Sequence, residues 1–171
     1  MKTNLTNLMQ MLATLKQEKN TYLYATINSA QNTYIIEIDG KKQDMEINDD
    51  FEGYLLKYVK IVDNIEKIQN EIDNKNNSLR IKSGLTIKEA LNKINNLQNK
   101  KDLNERLFNI KDNKRRISET TNSYFIEKVS NYNKKDIEKG QEKITKDIQE
   151  LQNEINIANS QEFETDINLG E

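Results

Sequence analysis

The chain has 171 residues, 35% of them hydrophobic and 32% charged, and its 26 basic and 28 acidic side chains leave a formal net charge of −2. It contains no His, Cys, Trp or Pro, which excludes disulfides, thiolate zinc sites, iron–sulfur clusters, cysteine nucleophiles and any Ser–His couple. With a mean hydropathy of −0.92, the composition suits helices with narrow apolar stripes better than a globule with a thick centre.

The length corresponds to one domain. Disorder is set aside because the apolar residues recur periodically instead of scattering. The mixed charges give no long-range field to draw in nucleic acid or an anionic membrane, so nucleic acid is not expected as a partner. Residues Met1 to Gln10 are interrupted by polar side chains and lack a secretory apolar run. No apolar run approaches the roughly 20 residues of a membrane span, which leads to the expectation of a soluble, cytoplasmic protein. Lys outnumbers Arg by 22 to 4, beside 25 Asn and 21 Ile; that bias suggests an AT-rich bacterial genome.

Leu5, Leu8, Leu12 and Leu15 step by three, four and three, which predicts a helix from about Thr3 to Asn20. Thr21–Ile27 and Thr33–Ile38 are rich in Tyr, Thr and Ile and read as strands, separated by a turn at Asn28–Asn32. Asp39-Gly40 is the strongest short hairpin signal, with Lys42–Ile47 as the returning strand. The expectation is a β-rich insertion at about 21–47. A pore-forming reading would drive it into a membrane, but a transmembrane strand needs about 9–11 residues. The alternating run is shorter and carries Glu37, so packing on helices or pairing across a subunit interface is favoured.

Asp49 and Asp50 are placed to cap a second helix. In it Tyr54, Tyr58, Ile61, Ile65, Ile68 and Ile72 alternate steps of four and three, a coiled-coil-like seam. The run Asp73–Asn77 reads as a polar loop. Thr86 and Glu89 have the spacing of a capping box at the start of a third helix, with Leu85 and Ala90 set for a hydrophobic staple. That helix continues through Leu91, Ile94 and Leu97, then shifts phase to Leu103, Leu107 and Ile110. Ser123–Ser130 reads as extended. Asn133 is placed to cap a last helix with Asp136 in its first turn and a seam at Ile137, Ile144, Ile148, Leu151, Ile155 and Ala158. From Ser160 onward an acidic tail should fray.

Little of this is catalytic vocabulary. Asp44, Glu46, Asp49, Asp50 and Glu52 are hard-cation ligands by type, yet they lack the Ca²⁺-loop spacing and read as a strand end and helix cap. Five glycines at positions 40, 53, 84, 140 and 170 form no phosphate loop. A Ser–Lys pair remains formally open, but no catalytic, cofactor-binding or metal-ligating residue is assigned. Lys111, Lys114, Arg115 and Arg116 form one basic knot, with Tyr124 and Phe125 nearby. An RNA or phosphate contact with stacking is one reading. A solvated helix end, where cations suit the terminal carbonyls, is the favoured one.

Asn77-Ser78-Leu79-Arg80, the turn at Gly84 and Leu85-Thr86-Ile87-Lys88-Glu89-Ala90-Leu91 form a polar loop, a glycine turn and a long helix. Phe125-Ile126-Glu127-Lys128-Val129-Ser130 followed by a capped helix near Asn133 forms a second motif. Together these resemble the septicolysin-like proteins, a family of short bacterial helical proteins, over about half the chain. Two departures stand out: Thr21–Ile47 replaces a short acidic loop, and Asn159-Ser160-Gln161-Glu162-Phe163 lacks the family's Trp. The resemblance implies a helical fold and, through the family's name, a cytolysin; it carries over no catalytic residues.

The expected fold is mostly α: an elongated helical hairpin or bundle with coiled-coil-like seams and a small β-hairpin insertion, as a single domain over 1–171 with a flexible tail at about 160–171. The expected function is a non-catalytic, oligomeric structural or interaction protein. Its interface would be Tyr58, Ile61, Ile65, Ile68 and Ile72 with Ile144, Ile148, Leu151 and Ile155, pairing with copies of itself or with a protein partner. Several narrow stripes on a polar chain exceed what one monomer ordinarily leaves exposed, which points to a dimer or a higher even-numbered assembly. The alternative is a membrane-active, pore-forming cytolysin.

Overall fold

The computed structural model describes residues 2–46, 50–118 and 122–167. Four helices dominate: α1 (Leu5–Ser29), α2 (Phe51–Ser78), α3 (Ile87–Phe108) and α4 (Lys134–Ser160). The strands are β1 (Lys2–Thr3), β2 (Thr33–Ile36), β3 (Lys42–Glu46), β4 (Asn113–Ser118), β5 (Ser123–Lys128) and β6 (Phe163–Glu164). They form three antiparallel pairs, β1–β6, β2–β3 and β4–β5. The fold is thus mostly α with small β elements, as expected. The chain divides into two compact units, one running to Ser78 and resuming at Asn159, the other spanning Leu79–Ala158. Each is built alike, as two long helices joined by a β-hairpin, a repetition that the sequence pattern did not announce.

In the first unit, Asn4 caps α1 by accepting a 2.8 Å hydrogen bond from the Asn7 amide. The helix then runs on through Thr21–Ile27, the segment expected as a strand, so the β-rich insertion starts at Thr33 and not near 21. The sheltered positions explain why. Leu15, Lys19, Tyr22, Thr26 and Ser29 are half-buried or buried at steps of four, three, four and three. Leu23 and Ala25 are half-buried beside them, and the polar Lys19, Thr26 and Ser29 interrupt this face, so its apolar residues alone do not show a helical period. The Thr26 hydroxyl donates to the Tyr22 carbonyl at 2.7 Å, and the Tyr22 ring lies 6.4 Å from that of Tyr54 in α2. Packing along α2 overrides the β-propensity of Tyr, Thr and Ile.

Helix α2 likewise outruns its expected end. Residues 73–77 are helical, because Asn77 Nδ2 donates to the Asp73 carbonyl at 2.7 Å and Ser78 Oγ to that of Asn74 at 2.8 Å. Lys75 pairs with Glu71 at 3.5 Å and sits 4.4 Å over the Phe163 ring. Phe163 in turn pairs with Thr3 across β1–β6, so the tail expected to fray from 160 is tied down at 163–164. Asp50 precedes α2, with its carbonyl accepting from the Tyr54 amide at 3.0 Å; Asp49 lies outside the described residues. The unit's interior holds Leu5, Leu8, Ile61, Ile65, Ile68 and Ile72.

The second unit opens on a tight turn, Ile81 to Leu85. The Gly84 amide donates to the Ile81 carbonyl and the Ile81 amide to the Leu85 carbonyl, both at 2.9 Å. Glu37 to Lys41 between β2 and β3 is bonded the same way, with 2.8 Å for each bond. Gly84 and Gly40 sit at φ +85° and +84°, where any other residue type would be strained. The expected capping box is present: the Thr86 hydroxyl accepts from the Glu89 amide at 3.2 Å and the Glu89 carboxylate accepts from the Thr86 amide at 2.8 Å. Asn133 starts α4 as expected, its Oδ1 accepting from the Lys135 amide at 3.0 Å.

The basic knot is not a helix end. Helix α3 stops at Phe108, and Lys114, Arg115 and Arg116 lie in β4, opposite β5. Asp112 Oδ1 accepts from the Ser130 amide at 2.8 Å and from its hydroxyl at 2.6 Å, clamping the base of this second hairpin. The interior of the unit is Ile81, Ile87, Ala90, Ile94, Ile148, Leu151, Ile155 and Ala158.

Candidate functional site

The seams expected to face a partner lie inside the chain. Ile61, Ile65, Ile68 and Ile72 of α2, and Ile148, Leu151 and Ile155 of α4, are all buried, while Tyr58 and Ile144 are half-buried. They form the core and are not available as a surface. Most of the large apolar side chains that remain exposed lie on the hairpins and the helix ends that carry them, with Met9, Val62, Leu91 and Ile157 elsewhere on the helices.

On the first hairpin, Tyr34 pairs with Asp44 and Ile36 with Lys42 on one face, and Ile35 with Gln43 on the other. Ile36 is 73% exposed, Met45 68%, and Ile38, in the turn, fully exposed. The turn itself is well ordered by polar contacts. Asp39 accepts from the Lys41 amide at 3.1 Å and pairs with its ammonium at 3.0 Å, and the Lys41 side chain, then its amide, hold the Asp39 carboxyl below its ordinary range. Lys42 Nζ lies 3.2 Å over the Tyr34 ring, and Gln43 Nε2 donates to Glu37. On the flanking helices Tyr24 and Ile27 of α1 and Leu55, Leu56 and Val59 of α2 are exposed too.

On the second hairpin, Arg116 pairs with Phe125 and Lys114 with Glu127 on one face, and Arg115 with Ile126 and Ile117 with Tyr124 on the other. Every residue of the two strands except the half-buried Ile117 is exposed. Lys114 lies 3.7 Å from Glu127 and 5.4 Å from the Phe125 ring. Carbonyls at and just past the end of α3 have their own donors: the Tyr132 hydroxyl donates to Leu107, and Lys134 Nζ to Ile110 at 2.6 Å. The Ser130 hydroxyl first, and its amide second, lower the pKa of Asp112. Phe108, Ile110 and Val129 add exposed apolar surface beside the strands. Thus the knot and the two aromatics noted in the sequence do come together, on a hairpin that its β-poor Lys-Arg-Arg run disguised. The available signal was the extended run Tyr124-Phe125-Ile126, whose backbone needs a pairing partner.

Among the described residues nothing else gathers comparable chemistry. Asp44, Asp50 and Glu52 do not converge: among the described residues no three acidic side chains are placed to hold a metal ion. A pocket of about 310 Å³ between α3 and α4 is lined by Glu105, Phe108, Ile137, Glu138 and Glu142, and Gln141 Nε2 donates to Glu105 across it at 3.1 Å. Among the described residues no helix is long and apolar enough to cross a membrane.

Fold and surface together define a mostly α protein of helix–hairpin–helix units with apolar hairpins. No family model matches the chain, and no curated protein matches it. A solved structure does: a functionally unknown conserved protein from Corynebacterium diphtheriae, with a TM-score of 0.59 and 16% identity, over 96% of this chain and 100% of that one. At such identity the likeness shows a common fold and carries no activity.

Proposed function

We propose that this chain is a non-catalytic, cytoplasmic interaction protein that works as a homo-oligomer and docks through its hairpins. One observation carries the reading: the helical seams are buried, while Ile36, Ile38 and Met45 on one hairpin and Phe125 on the other stay 61% exposed or more. Clusters of that kind mark association surfaces, and two-stranded sheets leave backbone donors and acceptors along their edges for a further strand. The non-catalytic part rests on composition, since without His or Cys few nucleophile–base pairs remain. Hydrogen exchange tests the docking surface. Amides of β2–β3 and β4–β5 should become more protected as protein concentration rises; protection that ignores concentration would contradict the reading.

The resemblance to septicolysin-like proteins supports a second reading, a membrane-active protein, and the fully exposed Ile38 at a hairpin tip favours it. Against it, β2 and β3 have four and five residues, about half of what a transmembrane strand requires. Dye leakage from liposomes at low protein concentration would establish this reading; intact vesicles are the result expected here.

A further inference from the structure

The two hairpins differ in charge, and the difference identifies what each one fits. The link from Ala30 to Asp50, which holds β2–β3, carries six carboxylates against two lysines, a net of −4. The link from Asn109 to Asn133, which holds β4–β5, carries five cations against three carboxylates, a net of +2. A chain whose overall charge is only −2 therefore separates its charge between two similar elements.

We infer that the acidic hairpin β2–β3 of one chain docks on the basic hairpin β4–β5 of a second copy. This inference rests on the self-association proposed above and specifies its geometry. Each hairpin forms a two-stranded sheet of its own, so both offer edges for strand addition, and both present apolar side chains, Ile36 and Ile38 on one and Phe125 and Ile126 on the other. Asp44 on the acidic hairpin, and Arg115 and Arg116 on the basic one, have no ion pair among the described residues. Pairing two acidic or two basic hairpins would set like charges against each other, which opposes it. Acidic against basic satisfies both the apolar surface and these charges. Each chain has one hairpin of each kind, so a second copy supplies both complements.

Two charge-reversed variants test this. Arg115→Glu with Arg116→Glu makes both hairpins acidic; Glu37→Lys with Asp44→Lys and Glu46→Lys makes both basic and leaves the Asp39 turn intact. Circular dichroism first establishes that each variant is folded. Light scattering at low ionic strength should then give the mass of one chain, 20.0 kDa, for either variant alone, and at least twice that for their equimolar mixture. Wild-type assembly should weaken as salt is raised, because exposed charges are screened beyond about 10 Å at 0.1 M. Variants that assemble as well as the wild type, or a mixture that stays at 20.0 kDa, would overturn acid–base docking and leave self-association standing. A wild-type chain that is monomeric at low salt would overturn both.

Discussion

Ile68 and Ile38 show how differently two regions of this molecule treat the same side chain. Ile68, midway along α2, has no exposed surface, whereas Ile38, in the turn between β2 and β3, is fully exposed. The seams of α2 and α4 are covered; the hairpins leave their apolar side chains open. Burial of an Ile side chain contributes roughly 1.5–3 kcal/mol, and the hairpin isoleucines forgo it in the isolated chain. An apolar residue that adds nothing to the fold at its position points to a role outside the fold. Under the proposed self-association, the helix seams account for stability and the hairpins for association.

Substitutions sharpen that contrast. Ile68→Ala should lower stability by about 2–5 kcal/mol, because the cavity sits in a fully covered site; an unchanged denaturation midpoint would remove α2's seam from the core. Thr86→Ala should cost about 1 kcal/mol by uncapping α3, measured the same way. A pH titration of the midpoint addresses Glu89, whose pKa is lowered by the Thr86 amide and then the Thr86 hydroxyl. A carboxylate with a depressed folded pKa contributes stability that is present above its unfolded value, about 4.3 for Glu, and lost as pH falls through the folded one. Glu89→Gln should flatten that part of the acid limb; a limb of unchanged steepness would mean that the capping box is not formed in solution. Ile38→Ser is the mildest, within about 0.5 kcal/mol of wild type. A larger loss would show that the tip packs on something within its own chain.

Much of the fold was legible, and the failures share a cause. Strong local signals held: Asp39-Gly40 turns the first hairpin, Thr86 and Glu89 cap α3, and Asn133 opens α4. The misread stretches were those where tertiary contacts decide. Residues 21–29 stay helical because Tyr22 meets Tyr54, and the Asn-rich end of α2 because its side chains bond back to the helix and Lys75 meets Phe163. The basic run became a strand through partners about ten residues away in β5 that its own composition does not announce. The seams expected to face a partner were misread for a related reason: periodicity identifies an apolar stripe but not what covers it. Ile61 to Ile72 and Ile148 to Ile155 turned out to be covered already.

Light scattering of the wild type beside the doubly substituted Ile36→Ser/Ile38→Ser chain, at low micromolar concentration, tests the central claim most directly. The account predicts a wild-type mass of at least twice 20.0 kDa and a variant that falls to the mass of one chain while keeping its helical signal and denaturation midpoint. A wild type at 20.0 kDa, or a variant that assembles as well as its parent, would contradict it.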